Sequence, residues 1–205
     1  MTPQRWSAAA LAMLAGIALL LQLVLSIQLG IANGRSALYG VWQFVGYFTI
    51  LSNGLVAWIA LRGALTADGG RDLRWRGCAV TAIVLVGVGY HLLLRHVWNP
   101  QGAQWLADVL LHYAVPAATL LWWLALPPRH PVAATGPLQW LLWPVAYAVY
   151  ALARGAATGF YPYPFIDVPT LGMPRVLLNA GGLMLGFVLT GYLLRAGAHW
   201  RARAA

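Results

Sequence analysis

Apolar residues in this chain gather into long runs, set apart by short segments rich in glycine, proline and arginine. A helix needs about 20 predominantly apolar residues to cross the hydrocarbon core of a bilayer. Six stretches meet that length, at roughly 6–29, 40–62, 78–97, 104–126, 138–158 and 175–196. The separators carry breaker chemistry. Ala67-Asp68-Gly69-Gly70 and Asn99-Pro100-Gln101-Gly102 are turns, and Pro127-Pro128 with Pro131 stops the fourth run. Gly136-Pro137 opens the fifth, and the last connection is proline-rich from Tyr161-Pro162-Tyr163-Pro164 through Pro169 to Pro174. The first run is longer than the ~7–15-residue apolar region of a cleaved signal and ends at the turn Asn33-Gly34-Arg35, so it reads as a transmembrane helix. The pattern predicts an all-α fold: one six-transmembrane-helix bundle over residues 1–205, with connections too short to hold another domain.

Composition agrees and charge adds a direction. Hydrophobic residues make up 61% and charged residues 8%, against about a quarter charged in a soluble domain. Lysine and glutamate are absent, the acids are Asp68, Asp72, Asp108 and Asp167, and every formal positive charge is an arginine. A net charge of +9 raises the question of nucleic acid, but the arginines sit in short loops rather than on one basic face. They read as topology signals, and no nucleic-acid partner is expected. With the N-terminus inside, Arg5, Arg62, Arg71, Arg74, Arg76, Arg129, Arg195, Arg201 and Arg203 are cytoplasmic. Arg35, Arg95, Arg154 and Arg175 are then opposite, which predicts N-in, C-in. Tryptophans flank the runs as an interfacial belt would, Trp42, Trp98 and Trp105 outside and Trp58, Trp75, Trp122, Trp123, Trp140 and Trp143 inside. The single cysteine, Cys78, excludes an internal disulfide and a cysteine-based metal cluster, and reads as an inert thiol.

Polar side chains inside the runs are costly in hydrocarbon and therefore informative. Counted along each run, Thr49 lies about 13 Å deep, His112 about 12 Å and His91 about 9 Å below the outer end. Asp108, Arg154, Arg175 and Asn179 share that outer half, while Asn53 stands near mid-depth above an apolar inner half. The distribution predicts a polar cavity opening outward and closed below. Asp108 and His112 are i and i+4 on one helix face, so the carboxylate can fix the imidazole tautomer and leave the other nitrogen as a base. A threonine hydroxyl becomes a nucleophile when such a base takes its proton, and the matching depths permit a Thr49–His112 pair. Asn53, Asn179 or an arginine would donate to a developing oxyanion, with Asn53 the first choice.

Other readings of the same residues stand beside this one. A membrane threonine commonly bonds its own helix or glues two helices together, and a His–Asp pair can be purely structural. Asp108, His112 and His91 are also a possible three-ligand set for catalytic zinc, which would make a metal-dependent intramembrane hydrolase. No HExxH motif supports it, and no metal or other cofactor is expected. His112, Asp108 and Arg154 would equally serve a transporter or lipid-binding protein as a proton or anion site, although no inverted repeat or broken helix pair is visible. The glycines Gly87, Gly89, Gly181, Gly182 and Gly186 have small-residue spacing and predict close helix packing. The aromatic, proline-rich loop at 160–174 would either cap the cavity or act as a rigid connector.

Three segments together carry a family resemblance: Tyr47-Phe48-Thr49-Ile50-Leu51-Ser52-Asn53, Leu110-Leu111-His112-Tyr113-Ala114-Val115-Pro116, and Tyr150-Ala151-Leu152-Ala153-Arg154-Gly155 running into Gly159-Phe160-Tyr161-Pro162-Tyr163-Pro164-Phe165-Ile166-Asp167-Val168. Over nearly all its length the chain resembles the bacterial Pr6Pr family of six-helix membrane proteins. That family is similar, more distantly, to the eukaryotic androgen-induced and androgen-dependent membrane proteins, threonine hydrolases that cleave fatty acid esters of hydroxy fatty acids without a metal. The resemblance implies a multi-pass protein of the bacterial inner (plasma) membrane acting on a fatty acyl ester, with Thr49 and His112 at the matching catalytic positions. The Tyr-Pro-Tyr-Pro-Phe segment and Arg154-Gly155 look particular to the bacterial group, a departure that bears on both substrate and activity.

Overall fold

A computed structural model describes residues 1–204, with side chains as far as Arg201, and Arg203 of the topology count lies outside the described side chains. All regular structure among the described residues is helical. Helix α1 (Pro3–Ala32) starts with Thr2 as its cap and a proline in its first turn, where a missing N–H costs nothing. Helices α2 (Ala37–Phe44) and α3 (Phe48–Leu65) follow, then α4 (Arg76–Gly89), which runs on through a π-helical turn at Tyr90–Leu94. Helix α5 (Gly102–Val109), a second π turn at Leu110–Ala114 and α6 (Val115–Ala125) form one rod. Then come α7 (Gly136–Trp140), α8 (Leu142–Thr158), the short α9 (Val168–Leu171) and α10 (Met173–Ala204).

Five helical segments are long and apolar enough to cross a membrane: Pro3–Ala32, Phe48–Leu65, Arg76–Leu94, Gly102–Ala125 and Met173–Arg201. Their outer faces are as apolar as their inner ones. Leu20, Leu121, Leu178 and Leu193 are 63–73% exposed, a surface suited to lipid rather than water. This is a membrane protein by its surface.

Two of the expected runs are interrupted, each for a local reason. The run at 40–62 breaks at residues 45–47, between α2 and α3. Its loose carbonyls are taken up by α8, where Tyr147 donates to Gly46 O (3.0 Å), Tyr150 to Val45 O (3.3 Å) and Arg154 to Trp42 O (2.7 Å). Gly46 leaves the space that the Arg154 guanidinium fills, and a Cβ there would displace it. The run at 138–158 breaks at Leu141 into helices of 5 and 17 residues. Pro144 has no N–H to offer Trp140 O four residues back, and the Cys78 thiol donates to that carbonyl instead (3.7 Å). Cys78 is thus a buried structural donor.

The core joins the small-residue face of α1 (Ala8, Ala15, Ala18) to α3, α4 and α6. One end of the bundle is laced by arginines. Arg5 donates to Ala64 O (2.8 Å), Arg71 to Pro127 O (2.7 Å) and Arg195 to Val132 O (2.9 Å). Arg76, only 1% exposed, donates to Trp122 O and Leu126 O at the C-terminus of α6, where the helix dipole favours a cation. Of the glycines expected to mediate packing, only Gly87 does so. A Cβ there would lie 3.1 Å from His112 O, whereas one at Gly89, Gly181, Gly182 or Gly186 meets nothing within 4 Å.

Candidate active site

Because α3 begins at Phe48, Thr49 is the second residue of its helix rather than about nine residues inside a longer one. Its N–H is therefore among the first-turn donors that a helix leaves without an internal partner. It donates to the Tyr163 hydroxyl at 3.3 Å. One turn on, Asn53 donates from Nδ2 to Thr49 O (2.8 Å) and to Leu111 O (3.3 Å), tying α3 to the second π turn.

His112 lies in that π turn, and the sequence explains why the turn forms. Pro116 cannot donate to His112 O and its ring crowds that carbonyl, so an ordinary α turn fails just here. The chain adopts one wider turn instead, with Val115 N–H bonding Leu110 O five residues back. Close approach of Gly87 covers the freed His112 carbonyl.

The imidazole is held on three sides. Its Nδ1 stands 3.0 Å from Asp108 O and 3.2 Å from Asp108 Oδ1. Both neighbours are acceptors, so the hydrogen of a neutral His112 belongs on Nδ1 and the Nε2 lone pair is free. Nε2 faces Thr49 Oγ1 at 3.4 Å. Tyr90 completes the frame. Its hydroxyl donates to Asp108 Oδ2 at 2.6 Å and its ring stacks on the imidazole, centroids 3.9 Å apart and 15° between planes. Asp108 is 4% exposed and Thr49 9%, so water reaches this unit only through a cavity.

Two cavities meet at Thr49. The larger, about 540 Å³, is lined by Thr49, Asp108 and His112 together with polar side chains that include Gln22, Arg35 and Gln43. The smaller, about 280 Å³, is lined by apolar residues of α4, the first π turn, α8 and α10, and no charged side chain faces it. Thr49, Tyr90, Leu94 and Tyr163 border both. Tyr163 comes from the proline-rich loop and stacks on Phe165 at 5.1 Å. Burial pushes its phenol above the ordinary value, hydrogen bonding with Thr49 pulling the other way, so it stays a neutral O–H.

The remaining polar residues expected at the site support its walls. Both Asn53 amide hydrogens go to backbone carbonyls, and the side chain is wholly buried. Asn179 donates to Phe165 O at 2.9 Å and clamps the loop to α10. Arg154 is 7% exposed, lies 3.5 Å over the Trp42 ring and fastens the α2–α3 break. It does not pair with Asp167, whose carboxylate caps α9 through Thr170. His91 is exposed on the far side of its π turn, between Tyr113 OH (3.3 Å) and Arg95 (3.2 Å). It does not converge with Asp108 and His112, and no three His, Cys or acidic side chains group together among the described residues.

Tyr90 and Tyr163 are site residues that sequence reasoning passes over. A tyrosine in an apolar run or a proline-rich loop is ordinary at a membrane interface. Comparison with protein-family models, with curated proteins and with solved structures gives no match for this chain.

Proposed function

We propose that this protein is an intramembrane hydrolase of lipid acyl esters in which Thr49 is the nucleophile and His112 the general base. One observation carries the proposal: Thr49 Oγ1 faces a His112 Nε2 that has no other partner, while Asp108 holds the opposite ring nitrogen. A separation of 3.4 Å is long for a formed hydrogen bond and short enough for the pair to tighten as the proton moves. The likeness of the segments around Thr49, His112 and Arg154 to the Pr6Pr family agrees with this reading.

Nε2 takes the Thr49 proton as Oγ1 bonds to the ester carbonyl carbon. The carbonyl oxygen becomes an oxyanion beside the start of α3, where the helix dipole is positive, and beside the Tyr163 hydroxyl, whose oxygen accepts from Thr49 N–H. Collapse breaks the bond to the alcohol oxygen, which takes the proton from His112 and leaves an acyl-threonine. Water then gives a proton to Nε2 and attacks the same carbon. The carboxylic acid departs, and Thr49 recovers its hydrogen from His112.

In the bilayer, α7 and α8 together act as one further crossing, making six with N-in, C-in orientation in a bacterial inner membrane. The arginine-laced end is then cytoplasmic and the polar cavity opens outward. Incubation of the purified protein with a fluorogenic medium-chain ester and a fluorophosphonate probe tests the chemistry. Hydrolysis that survives chelators, with the probe mapped to Thr49 by mass spectrometry, is expected. Probe attached elsewhere, or an enzyme silenced by chelation and restored by zinc, would replace this mechanism with another.

Tyr90 has a positioning role in the same unit, holding Asp108 against His112. Tyr90→Phe keeps the stacked ring and removes the hydroxyl. It is expected to lower kcat about tenfold, the equivalent of about 1.4 kcal/mol, with KM little changed. A change confined to KM would mean that the hydroxyl serves substrate binding instead.

A further inference from the structure

We infer that the two cavities divide the substrate at its ester bond, with the acyl chain in the apolar cavity and the alcohol part in the polar one. The inference rests on the Thr49–His112 reading and assigns the side on which each half lies. His112 must protonate the departing alcohol oxygen and later activate the water that replaces it. The imidazole borders the polar cavity and not the apolar one, so the leaving oxygen and the incoming water both belong on the polar side. The acyl chain is on the other arm of the carbonyl carbon. From Thr49 it runs past Tyr163 into the space between the first π turn, α8 and α10.

The wall of that space supports the assignment. Val88, Leu92, Leu93 and Leu183 border it and are 41–68% exposed on the apolar surface of the bundle. The cavity therefore opens sideways toward hydrocarbon, and a chain can enter without crossing water. Leu85, Ala180 and Met184 form part of the same wall, with nothing to hydrogen-bond a polar group. The polar cavity has Arg35, Gln22 and Gln43 for a hydroxylated or otherwise polar alcohol. The substrate class is a long-chain acyl ester of a polar alcohol, and its acyl-threonine intermediate keeps the chain in place while alcohol leaves and water enters on the opposite side.

Two variants measured against two ester series test the division. Ala180→Phe narrows the apolar cavity, and Gln22→Leu changes the polar one. For p-nitrophenyl esters from acetate to laurate, Ala180→Phe is expected to lower the laurate-to-acetate ratio of kcat/KM at least tenfold, and Gln22→Leu to leave that ratio within twofold. For laurate esters of alcohols differing in polarity, Gln22→Leu is expected to shift the preference and Ala180→Phe is not. The reverse pattern, or an unchanged ratio in Ala180→Phe, overturns the division while leaving Thr49-dependent hydrolysis standing. A wild-type protein that hydrolyses neither series defeats the esterase reading instead. The apolar cavity is then tested alone with a long-chain alkyl ether carrying a diazirine in its chain. Crosslinks at Leu183 or Met184 support it, and crosslinks confined to residues 22–43 reject it.

Discussion

Thr49→Ala is expected to lower kcat/KM for acyl esters by about 1,000-fold or more, the scale of loss when one member of a nucleophile–base unit is removed. The fold should survive. The two bonds that place Thr49 in the bundle belong to its backbone, N–H to Tyr163 and C=O from Asn53, and neither involves the hydroxyl. The hydroxyl's contact with His112 is lost, worth about 0.5–1.5 kcal/mol of stability. Thr49→Ser keeps the oxygen and should recover a substantial part of the rate. Because the two side chains act together, Thr49→Ala with His112→Ala should be no slower than either alone. Steady-state kinetics beside thermal unfolding in detergent separates the outcomes, and a Thr49→Ala protein with wild-type turnover would remove Thr49 as nucleophile.

Gly40→Ala should have the largest effect on stability from a single methyl group. Helix α2 crosses α1 here so closely that a Cβ at Gly40 would stand 2.6 Å from both Ile27 Cα and Ser26 O. These are backbone atoms of a long helix and cannot rotate away, so α2 must be displaced. Overpacking of this kind costs about 1–3 kcal/mol, and the rigid obstacle puts Gly40→Ala at about 3. Gly16 provides the comparison, since a Cβ there meets nothing within 4 Å. Gly16→Ala should be neutral or stabilising by about 0.5–1 kcal/mol, as alanine suits a helix better. Equal thermal midpoints for the two variants would mean that α1 and α2 are not held at this distance. Gly40 also lines the polar cavity, so the displaced α2 should weaken turnover of esters with bulky alcohols before the protein unfolds.

Much of the architecture was legible in the chain because helices report their own existence. An apolar run of sufficient length, closed by glycine or proline, forms a helix whatever its neighbours do, and α1, α4, the α5–α6 rod and α10 follow the runs closely. Counting 1.5 Å per residue paired Thr49 with His112, yet the count to Thr49 crosses the break at 45–47 and so does not follow one helix. Asp108 and His112 were linked by spacing alone, and Pro116 already implied a disturbance in the turn containing His112.

Tertiary structure decided which faces meet, and that follows from no local rule. A residue turns a helix by about 100°, so the extra residue held in each π turn re-aims every side chain beyond it. Tyr90, in the first π turn, stacks on His112, while His91 beside it faces outward, as neighbours about 100° apart do. The break before Thr49 depends on Tyr147, Tyr150 and Arg154 of α8, about a hundred residues away, accepting the burden of its carbonyls. That break moves Thr49 to a helix start and frees its N–H for Tyr163. Asn53, Arg154 and Asn179 became braces for the same reason, because each buried polar group bonds to whichever carbonyl packing brings within reach. The sequence by itself determined a set of apolar helices with a threonine and a histidine among their few polar residues. Only packing determined that they face each other between a polar and an apolar cavity, since contact between helices depends on azimuth and distance, which the order of residues does not contain.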